Sequence, residues 1–375
     1  MRPTYLEVNL AQLKTNLENI RKHVTPAKVL VVLKANAYGH GVDGVAPFIA
    51  PFADYLGVAL VEEAINIRKL GVKTPILVMG GTLPEQLPDF FEHDLTLAAS
   101  SLDLLNAAEG MAASRRKPLK VHLKIDTGME RTGVREYEAE TFIGKSMSCS
   151  HLDVEGIFTH FANSETLESG NSLPAGFVRA SLQLERFEEV LSIYEKRSVP
   201  APRIRHTANS GATMLLPQSY YDMVRPGVLF YGVYPGRDLP KNIDVKLALT
   251  WKSKVSYSKI TQPGRGVSYG SLWQAESAAR IVTVPCGYAD GYFRRMTNQA
   301  RVLIHGKSYP QVGRICMDQF MVNAGEDEIQ VGDEVTLLGN GITAEDLADW
   351  TGTNEYEVMT SISARVPRVF VGGVQ

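Results

Sequence analysis

The stretch VLVVLKANAYGHG, residues 29–41, decides how this chain is read. β-Branched and aliphatic residues run from Val29 to Leu33 and stop at Lys34; Asn36, Tyr38, Gly39 and His40 follow closely. The apolar run reads as a strand. A lysine sealed into the end of such a strand is costly unless its charge is used or removed. Amine chemistry explains it most simply, above all a Schiff base.

Working outward, Leu10, Leu13, Leu17, Ile20 and Val24 repeat at helical spacing before that strand. Asn9 can cap this helix, with Gln12 placed for a capping box. After it, strands alternate with helical patterns. The strand candidates are Val29–Leu33, Tyr55–Leu60, Ile76–Met79, Leu95–Ala98, Lys120–Ile125, Val154–Thr159, Ile204–Thr207 and Asp222–Arg225. Helical segments run over Val61–Leu70, stopped by Gly71, from Ser101 onward, and over Phe177–Glu195. About eight strand–helix alternations in roughly 230 residues predict a (β/α)8 TIM barrel. An open doubly wound sheet is the alternative, but no GxGxxG fingerprint marks a dinucleotide crevice.

The texture changes at YPGRDLPKN, residues 234–242, rich in proline, glycine and charge. Beyond about Val245 the pattern is β: Leu247–Ile260 alternates, then RIVTVP, ARVLIHG, GRICMDQFMVNAG and DEVTLLGNG follow. The expected fold class is therefore α/β plus all-β. Residues 1–240 form the barrel and 241–375 a C-terminal, mostly-β domain.

Of 375 residues, 44% are hydrophobic and 21% charged, and the net charge is -2. That balance gives no electrostatic reason for nucleic acid or an anionic membrane as partner. Cys149, Cys286 and Cys316 are scattered with no CxxC, so neither a disulfide framework nor a metal knuckle is expected. MRPTYLEVNL lacks a signal peptide's apolar core, and no apolar run approaches the roughly 20 residues of a membrane span. A cytoplasmic protein is expected.

Barrel chemistry sits at the C-terminal ends of the strands. Polar residues collect there: Lys34 after the first strand, Lys124 and Asp126 at the fifth with Arg131 behind, His160 at the sixth. Asn209 and Ser210 follow the seventh, and Arg225 ends the eighth. The loops after strands seven and eight offer Asn209-Ser210-Gly211 and the amides around Gly227 and Val228, which suit a phosphate dianion. An imine-forming lysine across the rim from a phosphate cradle implies pyridoxal 5'-phosphate.

These residues stand in blocks that resemble the alanine racemase family. VVLKANAYGHG resembles its cofactor-lysine signature. KIDTGMERTGV, GIFTHFANS, HTANSGAT, DMVRPGVLFYG, GVSYG, VPCGYADGY, GRICMDQ and ISARVPR resemble further blocks in the family's order. The resemblance covers essentially the whole chain. It implies a racemase that interconverts L- and D-alanine on pyridoxal phosphate by two bases, supplying D-alanine for peptidoglycan.

The resemblance also implies roles. Lys34 carries the cofactor and serves one face of Cα; Tyr269, in GVSYG, serves the other. Because a tyrosine hydroxyl ordinarily titrates near pH 10, a basic Tyr269 needs support, which His160 and Arg225 supply in the family. Arg225 faces the pyridine nitrogen, where a donor-only guanidinium weakens the electron sink and favours reprotonation. Arg131 contacts the cofactor and the substrate carboxylate, and Lys124 matches a lysine often carbamylated by CO2. Tyr38, Ser210 and the amides of Gly227 and Val228 hold the phosphate beside Asn209. Tyr288, Met317 and Asp318 match substrate positions; Cys316, before Met317 in a run that reads as a packed strand, is not the nucleophile.

Tyr269 reaches the lysine of another subunit in the family, so a head-to-tail homodimer with shared sites is implied. Arg294, Arg314 and Ile362 match the entrance. Many relatives have a tyrosine where this chain has Ala364, so serine is the first additional substrate expected. A decarboxylase would need an acid at Arg225 and a glycine-rich phosphate loop. A non-catalytic carrier would resemble the barrel alone.

Overall fold

A computed structural model describes residues 2–165 and 177–373. They form two compact units. One comprises Lys14–Ala37 and Val42–Val245; the other comprises the chain through Leu13, Tyr38–Gly41 and the chain from Lys246 onward.

The strands in chain order are β1 (Tyr5–Asn9), β2 (Lys28–Val32), β3 (Tyr55–Val58), β4 (Ile76–Val78), β5 (Thr96–Ala99), β6 (Leu119–Asp126), β7 (Val134–Arg135), β8 (Leu152–Phe158), β9 (Ile204–His206) and β10 (Met223–Val224). In the first unit the path β10-β2-β3-β4-β5-β6-β8-β9 is parallel throughout, and the short β7 pairs with β6. The path ends meet. Asp222 N–H donates to Arg205 O at 3.0 Å, Arg225 N–H to Ala208 O at 2.9 Å, and the Arg205 Nε–H to Asp222 Oδ2 at 2.8 Å. The eight-stranded barrel is therefore nearly closed, as the alternation predicts. Strand interiors such as Leu30, Val31, Leu56, Leu77 and Leu97 are fully buried. Among the flanking helices, Leu102–Arg115 starts at Ser101, whose hydroxyl accepts from Leu104 N–H at 3.2 Å. The long helix spans Ala180–Lys196, three residues later at its start than the periodicity suggests.

The second unit continues with β11 (Leu249–Lys254), β12 (Tyr257–Thr261), β13 (Gly266–Val267), β14 (Trp273–Gln274), β15 (Ala279–Val284), β16 (Arg301–Ile304), β17 (Lys307–Val312), β18 (Phe320–Gly325), β19 (Glu334–Leu338) and β20 (Arg368–Val371). Its main sheet runs β12-β15-β18-β17-β16-β19-β11-β1-β20. The expected mostly-β domain is present, with two differences. The alternation over 247–260 is two strands, because Val255 and Ser256 break it. The opening segment, counted above with the barrel, contributes β1 to this sheet, antiparallel to β11 and parallel to β20. Leu6 and Val8 are buried there, so period-two burial over five residues holds the segment against a sheet made far downstream. Asn9 caps the following helix as expected, its Oδ1 accepting from Gln12 N–H at 3.0 Å. Among the described residues no helix is long and apolar enough to cross a membrane.

Candidate active site

The sequence suggests a lysine sealed into a strand. In the structure β2 ends at Val32, Leu33 is buried, and Lys34 is half-buried. Burial lowers the pKa of its amine, the Arg131 charge lowers it further, and Glu63 opposes both. The backbone then turns left-handed for four residues, with φ of 52°, 55°, 54° and 50° at Ala35, Asn36, Ala37 and Tyr38. L-residues cost roughly 1–2 kcal/mol each in that region. Specific bonds hold the turn: Ala35 N–H donates to Glu63 Oε1 (2.6 Å), Ala37 N–H to Leu33 O (3.0 Å), and Val42 N–H to Asn36 Oδ1 (2.8 Å). Tyr38 is buried at its end, and Gly39 is required next because a Cβ there would lie 2.2 Å from Met359 O.

Lys124 and Asp126 share the end of β6 and are buried. Burial, then repulsion from Arg225, pulls the Lys124 amine down to about 7 despite attraction from Asp126. Asp126 organises the loop behind it. Its Oδ1 accepts from the amides of Gly128, Met129 and Glu130, and its Oδ2 from the amide of Arg131. Burial would raise this carboxyl, but those four bonds lower it. The Arg131 side chain itself is exposed.

Arg225, just past β10, is 3% exposed. Its Nη2 donates to the carbonyls of Thr159 (2.8 Å) and Thr207 (3.0 Å) and lies 3.4 Å from His160 Nδ1; Nη1 meets His206 Nδ1 at 2.7 Å. Its partners are carbonyls and imidazoles, and burial lowers it to about 9. Burial and the charges of Arg225, Lys124, Arg131 and Lys34 drive the His160 pKa well below the ordinary value, so its ring is neutral. The Phe158 ring stacks on His206 at 4.6 Å, with Lys124 Nζ 4.8 Å and Arg225 Cζ 5.4 Å from its centroid.

Across the rim, Asn209 caps the short helix Ser210–Leu215, its Oδ1 accepting from Ala212 N–H (3.1 Å) and from the Ser164 hydroxyl (2.6 Å). Gly211 must be glycine, since a Cβ would lie 2.5 Å from Ser164 O. Ser210 is buried, and its Oγ accepts from Leu229 N–H at 3.3 Å, tying this turn to the Gly227–Val228 segment. The rim residues read from the sequence are therefore gathered in one unit. The residues that reading missed are His206, His122, Glu155 and Tyr55, all buried in the barrel. The sequence marks each as a polar residue in or at the end of an apolar strand pattern, but carries no sign of how they pair.

In the other unit, Tyr269, Tyr288, Arg294, Arg314, Ile315, Cys316 and Met317 line one cavity of about 440 Å³. Tyr269 is 69% exposed at the tip of the β13–β14 hairpin. Val267 and Trp273 anchor that hairpin on Ile281, Val312 and Met321. Ser268 Oγ–H donates to Arg314 O at 2.6 Å, and a Cβ on Gly313 would lie 2.5 Å from Val267 O. Cys316 and Met317 are not in a packed strand as expected. They occupy the irregular link between β17 and β18, and Met317 is 53% exposed. Three further positions do not line this cavity: Asp318 pairs with Arg365 at 2.7 Å, Ile362 is buried, and Ala364 is exposed.

Comparison with known proteins agrees along the whole chain. Residues 8–235 match the family described as alanine racemase, N-terminal domain, and 248–370 match alanine racemase, C-terminal domain. An alanine racemase of Carboxydothermus hydrogenoformans is 42% identical over 378 residues, covering 99% of this chain and 100% of that one. A solved alanine racemase of Clostridium difficile 630 is 36% identical with a TM-score of 0.91, covering 100% of this chain and 98% of that one. One from Bartonella henselae, with covalently bound pyridoxal phosphate, is 26% identical with a TM-score of 0.88, covering 99% and 100%.

Proposed function

Because the chain belongs to the alanine racemase family, we propose that it racemises alanine with Lys34 and Tyr269 as opposed bases on pyridoxal phosphate. It is an amino-acid isomerase of that type. The observation that carries the proposal is the barrel rim: a lysine amine with a lowered pKa shares it with a buried guanidinium and a hydroxyl–amide cradle.

The donor set fits a phosphorylated aldehyde. Lys34 offers the amine that would hold the group covalently. Ser210, the Gly227 and Val228 amides and Tyr38 would take its phosphate beside Asn209. Arg225 would meet its ring nitrogen, and Arg131 its phenolic oxygen. When bound, the cofactor supplies an electron sink that acidifies the substrate Cα–H. Tyr269 takes or returns a proton on one face of Cα and Lys34 on the other. Neutral His160 and donor-only Arg225 support the tyrosine. Met317's amide and Arg131 hold the substrate carboxylate, with Tyr288 and Asp318 nearby. Arg294, Arg314, Ile362 and Ala364 shape the entrance.

Residues 1–240 would bind the cofactor, and residues 241–375 would complete a partner copy's site in a cytoplasmic head-to-tail homodimer that supplies D-alanine for peptidoglycan. The exposure of Tyr269 supports this reading, because a base working in water lacks a dry site. Lys124 would be carbamylated: a buried amine pulled down to about 7 is about half neutral near pH 7, and only a neutral amine attacks CO2. Heavy-isotope CO2 should then give a carbamate carbon signal that Lys124→Met abolishes. An unmodified ammonium at Lys124 in the active enzyme would reject this.

The deciding assay is L-alanine to D-alanine conversion by the wild type, Lys34→Ala and Tyr269→Phe. Both variants should lose turnover by a factor of about 100 or more. Unimpaired turnover in Lys34→Ala would overturn the mechanism.

A further inference from the structure

Behind Arg225, buried groups that this reaction leaves unused form a continuous chain that ends in a surface ion pair. Arg225 Nη1 meets His206 Nδ1 at 2.7 Å, His206 Nε2 meets His122 Nδ1 at 2.8 Å, and His122 Nε2 meets Glu155 Oε1 at 3.4 Å. Glu155 also accepts from the Tyr55 hydroxyl at 2.6 Å and from Arg203 Nη2 at 2.7 Å; Arg203 in turn pairs with Asp153 at 2.9 Å. Tyr55 opens β3, Asp153 lies near the start of β8 and Arg203 just precedes β9, whereas Arg225 follows β10. The chain therefore runs from the N-terminal ends of the strands to the C-terminal rim.

Its two ends fix every proton within it. A guanidinium only donates, and an ionised carboxylate only accepts. His206 Nδ1 must therefore be a lone pair, so His206 carries its hydrogen on Nε2 and donates to His122 Nδ1. His122 then carries its hydrogen on Nε2 and donates to Glu155. No other pattern satisfies all three bonds. The packing leaves space for this arrangement: a Cβ on Gly156 would lie 2.4 Å from His122 Nδ1, and Phe158 lies 7° from parallel on His206.

We propose that His206 and His122 are positioning residues of the racemase reaction, locked as neutral Nε2–H tautomers between Arg225 and Glu155, and that they aim the guanidinium at the cofactor ring. This rests on the reading of Arg225 as the ring nitrogen's partner. A proton added to either imidazole would turn an acceptor into a donor and push against Arg225. The surroundings prevent it. His206 faces Arg225, His122 and Lys124; His122 faces Glu155, Arg225, Arg203, His206 and Tyr55. Burial, opposed for His122 by Glu155, keeps both pKa values below the ordinary imidazole range.

Nitrogen-15 NMR of labelled histidine tests this in the protein with and without cofactor. Both rings should read as neutral Nε2–H from about pH 6 to about pH 9; an Nδ1–H tautomer or an imidazolium in that range overturns the proposal. Glu155→Gln keeps the shape but can present an amide N–H to His122 Nε2, a donor that competes with the one Arg225 places at the other end of the chain. It should mix the tautomers and lower kcat about 10- to 100-fold with KM little changed, the scale of losing an orienting partner. Glu155→Asp should restore part of kcat, and Glu140→Gln, in the exposed Arg197 pair outside this chain, should leave both readouts unchanged. Mixed tautomers with an unchanged kcat would overturn the coupling. If Glu155→Gln does not fold, His122→Gln replaces it, with the same loss in kcat expected and an unchanged kcat overturning the proposal. The placement of Arg225 fails separately, if Arg225→Glu leaves the cofactor absorbance and turnover unchanged.

Discussion

Burial alone would raise the Glu155 carboxyl, yet bonds from His122, Tyr55 and Arg203 hold it at about 2, against 4.5 when free. A depressed carboxyl stabilises the fold fully above its unfolded pKa and loses that contribution as pH falls through the folded one. Glu155 therefore contributes above pH 4.5 and fades toward pH 2. Denaturant titrations at descending pH should show the wild type losing up to about 3 kcal/mol that Glu155→Gln never had. Equal acid losses in the two proteins would contradict the assignment. A second residue-scale test concerns specificity. Ala364 presents only a methyl group where many relatives are expected to carry a phenol, so the proposed outcome is a weaker preference for alanine over serine. Ala364→Tyr should raise the alanine-to-serine ratio of kcat/KM; an unchanged or lower ratio would count against a role for this position.

At the scale of elements, the left-handed turn from Ala35 to Tyr38 makes a prediction opposite in sign to ordinary helix propensity. In a right-handed helix, alanine to glycine destabilises. Here Ala35→Gly relieves a φ of 52°. It should leave the melting temperature unchanged or raised, whereas Ala35→Val should lower it by several degrees, about 1–2 kcal/mol. This turn was not legible in the sequence, because ANA carries no glycine to announce positive φ. The bonds that hold it come from Glu63 and from Val42 N–H to Asn36, brought near only by folding. The eight barrel strands were legible to within a few residues, since apolar runs bounded by turn residues record burial directly. β1 was not, since YLEVN is short and its partners lie more than 200 residues away. The rim residues could be read because barrel topology says where strand ends go. The buried chain behind Arg225 could not, since an imidazole within a strand gives no sign of its partner.

At the scale of the whole molecule, the proposed sharing of the site between copies makes a mixing experiment decisive. Lys34→Ala and Tyr269→Phe should each be inactive alone. Copies exchanged between them would pair an intact Lys34 with an intact Tyr269 in one of the two sites of each hybrid dimer. Random exchange then restores about a quarter of wild-type turnover. No recovery, with exchange confirmed by size-resolved mass measurement, would place both bases within one copy.

The position of β1 has a consequence for how the protein is made. Residues 5–9 leave the ribosome well before the strands that flank them, at 249–254 and 368–371. The barrel segment from 14 to 245 is complete just before the first of these arrives and well before the second. Until then the nascent chain carries an unpaired strand ahead of the barrel segment. Translation must pass residue 368 before Leu6 and Val8 have both of their permanent neighbours, and a ribosome stalled short of that point would display an open edge for a chaperone to cover.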